Sequence, residues 1–211
     1  MDDEPVHPAG NGWAYSDTDY LVLGMIIEKI CGNSYYDELS KRILQPLKLK
    51  NTSPSNSRIL EGLVSGYTGE GPPFYFPEEV LINGVYVVNP QFEWTGGGLI
   101  TNSLDFAKWA YDLYAGDVLP EKWKKEMLDA VNYSTGQPDS TGYGLGAQIW
   151  HSQFGYIYGH GGIFPGYQTQ IGYIPDLACA VALQVNADRL SDKLEKSPYE
   201  YILELLPVIQ Q

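Results

Sequence analysis

Tyr15 and His160 are the two side chains whose sequence surroundings suggest acid–base chemistry. Tyr15 stands in Gly10-Asn11-Gly12-Trp13-Ala14-Tyr15-Ser16-Asp17-Thr18-Asp19, directly ahead of an apolar run at helical spacing. The positive end of a helix favours a phenolate, so a tyrosine there can accept a proton from a nucleophile. His160 lies in Gly159-His160-Gly161-Gly162-Ile163-Phe164-Pro165-Gly166-Tyr167. Glycines after a strand histidine let a ligand approach the backbone, and amide N–H groups there can stabilise an oxyanion. Taken singly, none of these decides the matter. Tyr15 is one of 17 tyrosines, a strand histidine also serves structure, and Asp17 also reads as a helix cap.

Other chemistries find no support. His7, His151 and His160 are the only histidines, and no pair has the spacing or the Cys/Asp company of a zinc site, so neither metal nor cofactor is expected. Gly96-Gly97-Gly98 lacks the Lys-Ser/Thr of a phosphate loop and reads as a tight turn or a close approach. In Gly62-Leu63-Val64-Ser65-Gly66 the first glycine stands one place too early for a nucleophile elbow. Cys31 and Cys179 lie far apart and read as two buried, small apolar residues. Thirteen Lys and Arg against 26 Asp and Glu leave a net charge of −13, and Lys122-Trp123-Lys124-Lys125 is flanked by Glu121 and Glu126. A nucleic-acid partner is therefore not expected. The longest apolar runs, Leu21–Ile30 and Leu177–Val185, fall short of the roughly 20 residues that span a bilayer, so no transmembrane segment is expected. Met1-Asp2-Asp3-Glu4-Pro5 carries no secretory signature.

The elements that must position these residues follow from periodicity and punctuation. A buried helix is expected over Asp17–Cys31, stopped by Gly32. A second, capped by Ser34 with Asp37 three residues on, runs to Leu44 ahead of Pro46. Leu47 to Trp94 is rich in Gly and Pro and holds one hairpin candidate at Asn83-Gly84. Helices are expected over Leu104–Ala115, capped by Ser103, and over Glu121–Ala130 after Pro120. From Gly142 the period becomes two, giving strands Tyr143–His151, Gly155–Gly159, Tyr167–Ile174 and Cys179–Val185, then a helix over Ser191–Ile209 that covers the sheet. The expected class is α+β, with residues 1–140 a helical lobe carrying an irregular insertion and 141–211 an antiparallel sheet with its helix.

Four segments in order then carry a resemblance. Gly10 to Glu28 closely resembles the Tyr-Ser-Asn segment of the serine β-lactamase and DD-peptidase superfamily, in its class C-like branch of penicillin-binding proteins, esterases and amidohydrolases. Gly159 to Tyr167 resembles that family's third motif, with His-x-Gly in place of Lys-Thr-Gly on an edge strand. Leu44 to Thr52 and Gly97 to Ala107 are similar to two connecting segments, so the resemblance covers roughly Pro8 to Asn186. It implies a partial β-lactamase/transpeptidase-like fold and an acyl-enzyme acting on a small ester, amide or peptide. Tyr15 would be the general base. His160 would polarise the site and hold the substrate, Asp17 and Gly162 would bind substrate, and the Ile163 N–H would supply half of the oxyanion hole. The resemblance also implies a periplasmic or secreted setting.

Two departures stand out. The family's nucleophile lies in Ser-x-x-Lys, yet the residues three places before the ten lysines are Ile26, Glu38, Gln45, Leu47, Asp105, Leu119, Glu121, Lys122, Leu190 and Lys193. None is serine. Ser16 and Ser103 are the remaining candidates, without a neighbouring base in sequence. Only 14 residues precede Tyr15, so a C-terminal portion of a serine hydrolase is expected, inactive by itself, with self-association or a missing N-terminal segment supplied in trans. The alternative is a non-catalytic binding or regulatory module that keeps the cleft. The second departure is Asp17 where many members have Asn: a carboxylate lacks the amide's donors, which favours an esterase, peptidase or amidase over a tuned β-lactamase.

Overall fold

The computed structural model describes residues 4–69, 76–132, 139–188 and 195–209. Helix α1 is Asp17–Cys31, closed by Gly32 at φ 71°, whose N–H donates to the Glu28 carbonyl. Helix α2, Tyr35–Leu39, is capped by Ser34, whose side chain accepts the Asp37 N–H, and it continues as a π-turn over Ser40–Leu44. Strand β1 (Ser53–Pro54) is followed by β2 (Leu81–Ile82) and β3 (Val85–Tyr86). Asn83 and Gly84 join the last two, both at positive φ (52° and 76°), as a two-residue hairpin requires. The one-turn helix α3 (Trp94–Gly97) leads to β4 (Leu99–Ile100), which pairs with β1. Helices α4 (Ser103–Tyr114) and α5 (Glu121–Met127) precede the main sheet.

That sheet is an antiparallel meander in sequence order: β5 (Gly142–Tyr143), β6 (Gln148–Ser152), β7 (Gly155–Phe164), β8 (Tyr167–Ile174) and β9 (Cys179–Val185). Helix α6, Pro198–Ile209, lies on one face. There Ile157, Ile174 and Leu206 form a fully buried centre, ringed by Trp150, Phe154, Val181, Tyr199 and Leu203. On the other face Tyr114 of α4 packs on Tyr158 and Tyr173, with ring centroids 5.8 and 6.2 Å away. Side chains alternate along a strand, so His160 and Gly162 share the face of Tyr158.

Several expectations need correction. Helix α1 is not buried. Only Gly24 is inaccessible, where a Cβ would come within 2.5 Å of Thr95, while Val22, Leu23, Met25, Ile26 and Ile30 are exposed. The helix packs α3 along its Gly24 side, and nothing among the described residues covers the opposite stripe. The cap of α4 is Asn102, whose side chain accepts the Asp105 N–H. Helix α5 stops three residues early, and the strand expected from Tyr143 to His151 is broken at Gly146, φ 73°. Strand β7 runs on to Phe164 and is internal. It becomes an edge only locally, because β6 pairing ends at Gln148 opposite Gly159. The triglycine is not a positive-φ turn: φ turns positive at Trp94 instead, and Gly98 is required by close approach, since a Cβ there would meet the Trp94 carbonyl oxygen at 2.5 Å. Both cysteines are half-buried and free. The last helix starts at Pro198, and the expected positions 191–194 lie outside the described residues. No helix among the described residues is long and apolar enough to cross a membrane.

Candidate active site

The chain reaches the site at two places. Trp13 and Tyr15 lie in the extended segment before α1, and His160 lies on β7 at the point where β6 ends. The Tyr15 and His160 rings are 6.1 Å apart between centroids, although 145 positions (160 − 15) separate them. Tyr143 joins them: its ring is 5.8 Å from Tyr15, 5.6 Å from His160 and 5.4 Å from Trp13. The Tyr143 hydroxyl meets His160 Nε2 at 2.9 Å, and His160 Nδ1 meets the Gly161 carbonyl oxygen. A carbonyl cannot donate, so the proton sits on Nδ1 and Tyr143 donates to Nε2. Burial holds the imidazole below its usual range, against smaller opposing effects of the Gly161 bond and the Asp17 charge.

Tyr143 was not anticipated from the sequence. It sits in Gly142-Tyr143-Gly144, which carries no motif, and only pairing brings it to the histidine. Its backbone is clamped by Val131 through two hydrogen bonds of 3.0 Å.

Tyr15 is half exposed and does not behave as the helix field alone would have it. Its hydroxyl is pushed up to about 12, first by desolvation and then by the charge of Asp17 and a hydrogen bond to it. Phenolate formation is thus opposed in this chain, because loss of solvation first, and then the carboxylate two residues away, outweigh the partial charge of the helix end. Asp17 is the first residue of α1 and not its cap: Ser16 occupies the cap position without a side-chain capping bond. Glu93 stands nearby, its carboxyl raised by burial and by Asp17.

Gly162 and Ile163 line the open edge. A Cβ on Gly162 would touch only Thr169 Oγ1, at 2.7 Å, so glycine keeps the strand face beside His160 clear. The Gly161 N–H points toward the β6 side, where it reaches Gln148 Oε1 at 2.9 Å. Two residues on, the Ile163 N–H points the same way, with no strand opposite it among the described residues. Its side chain is 68% exposed. Ser103 Oγ donates to Gln184 instead of approaching these groups. Among the described residues, no three His, Cys, Asp or Glu are placed to hold a metal ion.

The family model described as Beta-lactamase matches residues 1–203. Penicillin-binding protein 4* of Bacillus subtilis is 29% identical over 197 residues, covering 90% of this chain and 42% of the relative. A D-aminopeptidase of Cereibacter sphaeroides is 25% identical over 85% of this chain and 33% of its own length. Among solved structures, a D-stereospecific amidohydrolase from Streptomyces superposes with TM-score 0.79 at 28% identity, over 97% of this chain and 57% of that one. The chain therefore spans between a third and about three-fifths of the relatives it matches. With its segments, its sheet and its matched span in agreement, this chain belongs to the β-lactamase family.

Proposed function

We propose that this chain is the C-terminal, cleft-bearing part of a serine hydrolase that cleaves a small ester, amide or peptide through an acyl-enzyme. The observation that carries the reading is the meeting of the Tyr15 and His160 rings, 6.1 Å apart between centroids though far apart in sequence. Tyr15 would take the nucleophile's proton, the Ile163 N–H would bind the developing oxyanion, and Asp17 and Gly162 would border the acyl group. The nucleophile would come from a Ser-x-x-Lys segment outside this sequence. Its lysine would also supply what Tyr15 lacks here, a cation to offset Asp17 and bring the hydroxyl down from about 12. The exposed stripe of α1 is the surface on which further polypeptide would pack.

The test pairs this chain with one extended upstream through Ser-x-x-Lys. The 211-residue chain should remain unlabelled by fluorophosphonate or fluorescent penicillin. The extended chain should be labelled or should hydrolyse 4-nitrophenyl esters, and Tyr15→Phe in it should sharply slow the reaction. Stoichiometric labelling of this chain at Ser16 or Ser103 would overturn the reading. A binding module that keeps the cleft without chemistry is the second reading, favoured by the raised Tyr15 hydroxyl. A folded but inert extended chain would establish it.

A further inference from the structure

The open edge of β7 is held by side chains where a strand is missing. Beyond Gly159 the partner strand β6 stops, yet both polar groups of Gly161 on that side are satisfied. Its N–H donates to Gln148 Oε1 at 2.9 Å, and its carbonyl accepts from His160 Nδ1. His160 is in turn fixed at Nε2 by the Tyr143 hydroxyl at 2.9 Å, and Tyr143 is bound through its backbone to Val131. Gln148 and Tyr143 are themselves direct partners across β5 and β6. With both ring nitrogens engaged, His160 has no free donor or acceptor to offer a ligand unless one of these bonds breaks. Its contribution lies in the backbone it holds. The next donor along this edge is the Ile163 N–H.

We propose that Gln148, through the Gly161 N–H, and Tyr143, through His160 and the Gly161 carbonyl, are positioning residues for the Ile163 N–H, standing in for the missing stretch of β6 so that this donor is presented on a fixed edge. The inference rests on the acyl-transfer reading for its purpose, but its geometry can be tested without turnover. Paired strand amides resist exchange with solvent and unpaired ones do not. In the 15N-labelled 211-residue chain, the Gly161 amide should exchange as slowly as a paired strand amide while Ile163 exchanges quickly. Gln148→Ala should speed Gly161 exchange roughly 2- to 10-fold, the factor expected for one hydrogen bond. Gln148→Glu keeps an acceptor and should restore the protection. Tyr143→Phe removes only the hydroxyl. It should shift the His160 Nε2 resonance and speed Gly161 exchange, with Ile157 and Ile174 unchanged. Gly161 exchanging as fast as Ile163 in the unaltered chain would overturn the proposal, as would indifference of Gly161 to both Gln148→Ala and Tyr143→Phe. Uniform acceleration at Ile157, Ile174 and Gly161 would also overturn it, since that marks general loss of stability. Inactivity of the extended hydrolase would leave these exchange results intact.

Discussion

Asp188→Asn is expected to loosen the turn that follows the open edge and to destabilise the chain by about 2–3 kcal/mol. The Asp188 carboxylate is buried, and each oxygen accepts one backbone N–H at 3.0 Å, from Gly69 and from Gly166. Hydrogen bonds to a charged acceptor contribute about 1.5–3 kcal/mol each. Asparagine keeps one acceptor and turns an NH2 toward the second N–H, so one bond is lost and one buried donor is left unpaired. Gly166 sits at φ 85°, three residues beyond Ile163, and the neighbouring Pro165 carbonyl takes the Tyr86 hydroxyl at 2.6 Å. The carboxylate is therefore a main tie between this turn and the segment at Gly69. Urea unfolding should show a lower midpoint at unchanged slope. The melting temperature should fall by roughly 5–10 °C for a chain of this size. Asp188→Ala, which removes both acceptors, should be worse than Asn. An Asn variant within about 0.5 kcal/mol of the unaltered chain, the range of ordinary surface changes, would refute the reasoning. So would an Ala variant more stable than Asn.

Further outcomes are expected. Burial lowers the His160 imidazole below its unfolded value, so the unfolded chain binds more protons and stability falls as pH drops through about 6.5. His160→Gln should flatten that part of the stability-versus-pH curve relative to the unaltered chain, and an unchanged slope would count against it. Ile30 is 78% and Met25 64% exposed on α1, so this chain should self-associate and bind an apolar dye. Ile26→Lys with Ile30→Lys should abolish both at little cost in stability, and light scattering showing a strict monomer before the change would sink the idea. Gly162→Leu should fill the face beside His160 and push Thr169 Oγ1 aside, since a Cβ there would approach it to 2.7 Å, so that labelling of the extended chain and the melting temperature both fall.

Much of the fold was legible because it is punctuated locally. Helix α1 matches its expected span residue for residue, since apolar spacing, acidic first-turn residues and Gly32 all act within the helix. Ser34 caps α2 and Asn83-Gly84 turns its hairpin for the same reason: the signal and the structure occupy the same few residues. Where neighbours compete, the local signals do not decide. Asn102 takes the cap in place of Ser103, and pairing with β6 makes β7 an internal strand, while the start of β6 only at Gln148 leaves the last stretch of β7 open.

The residue types that make up the candidate site, Tyr15, Asp17, His160, Gly162 and Ile163, stand in order along the chain, and the lack of Ser-x-x-Lys is read there too. What only the tertiary structure decided was electrostatic and relational. The helix end favours an acidic Tyr15, but desolvation wins, reinforced by the Asp17 charge two residues away, and the desolvation depends on what packs around the hydroxyl. Tyr143 and Gln148 carry no local signature, because what they touch comes from strand register that sets one opposite the other, with Gln148 against Gly161 and Tyr143 against His160. Capping and helical periodicity act over three or four residues and are written in the sequence. Hydrogen bonds across a sheet and the burial of a hydroxyl depend on partners tens of residues away, and only the folded chain chooses them.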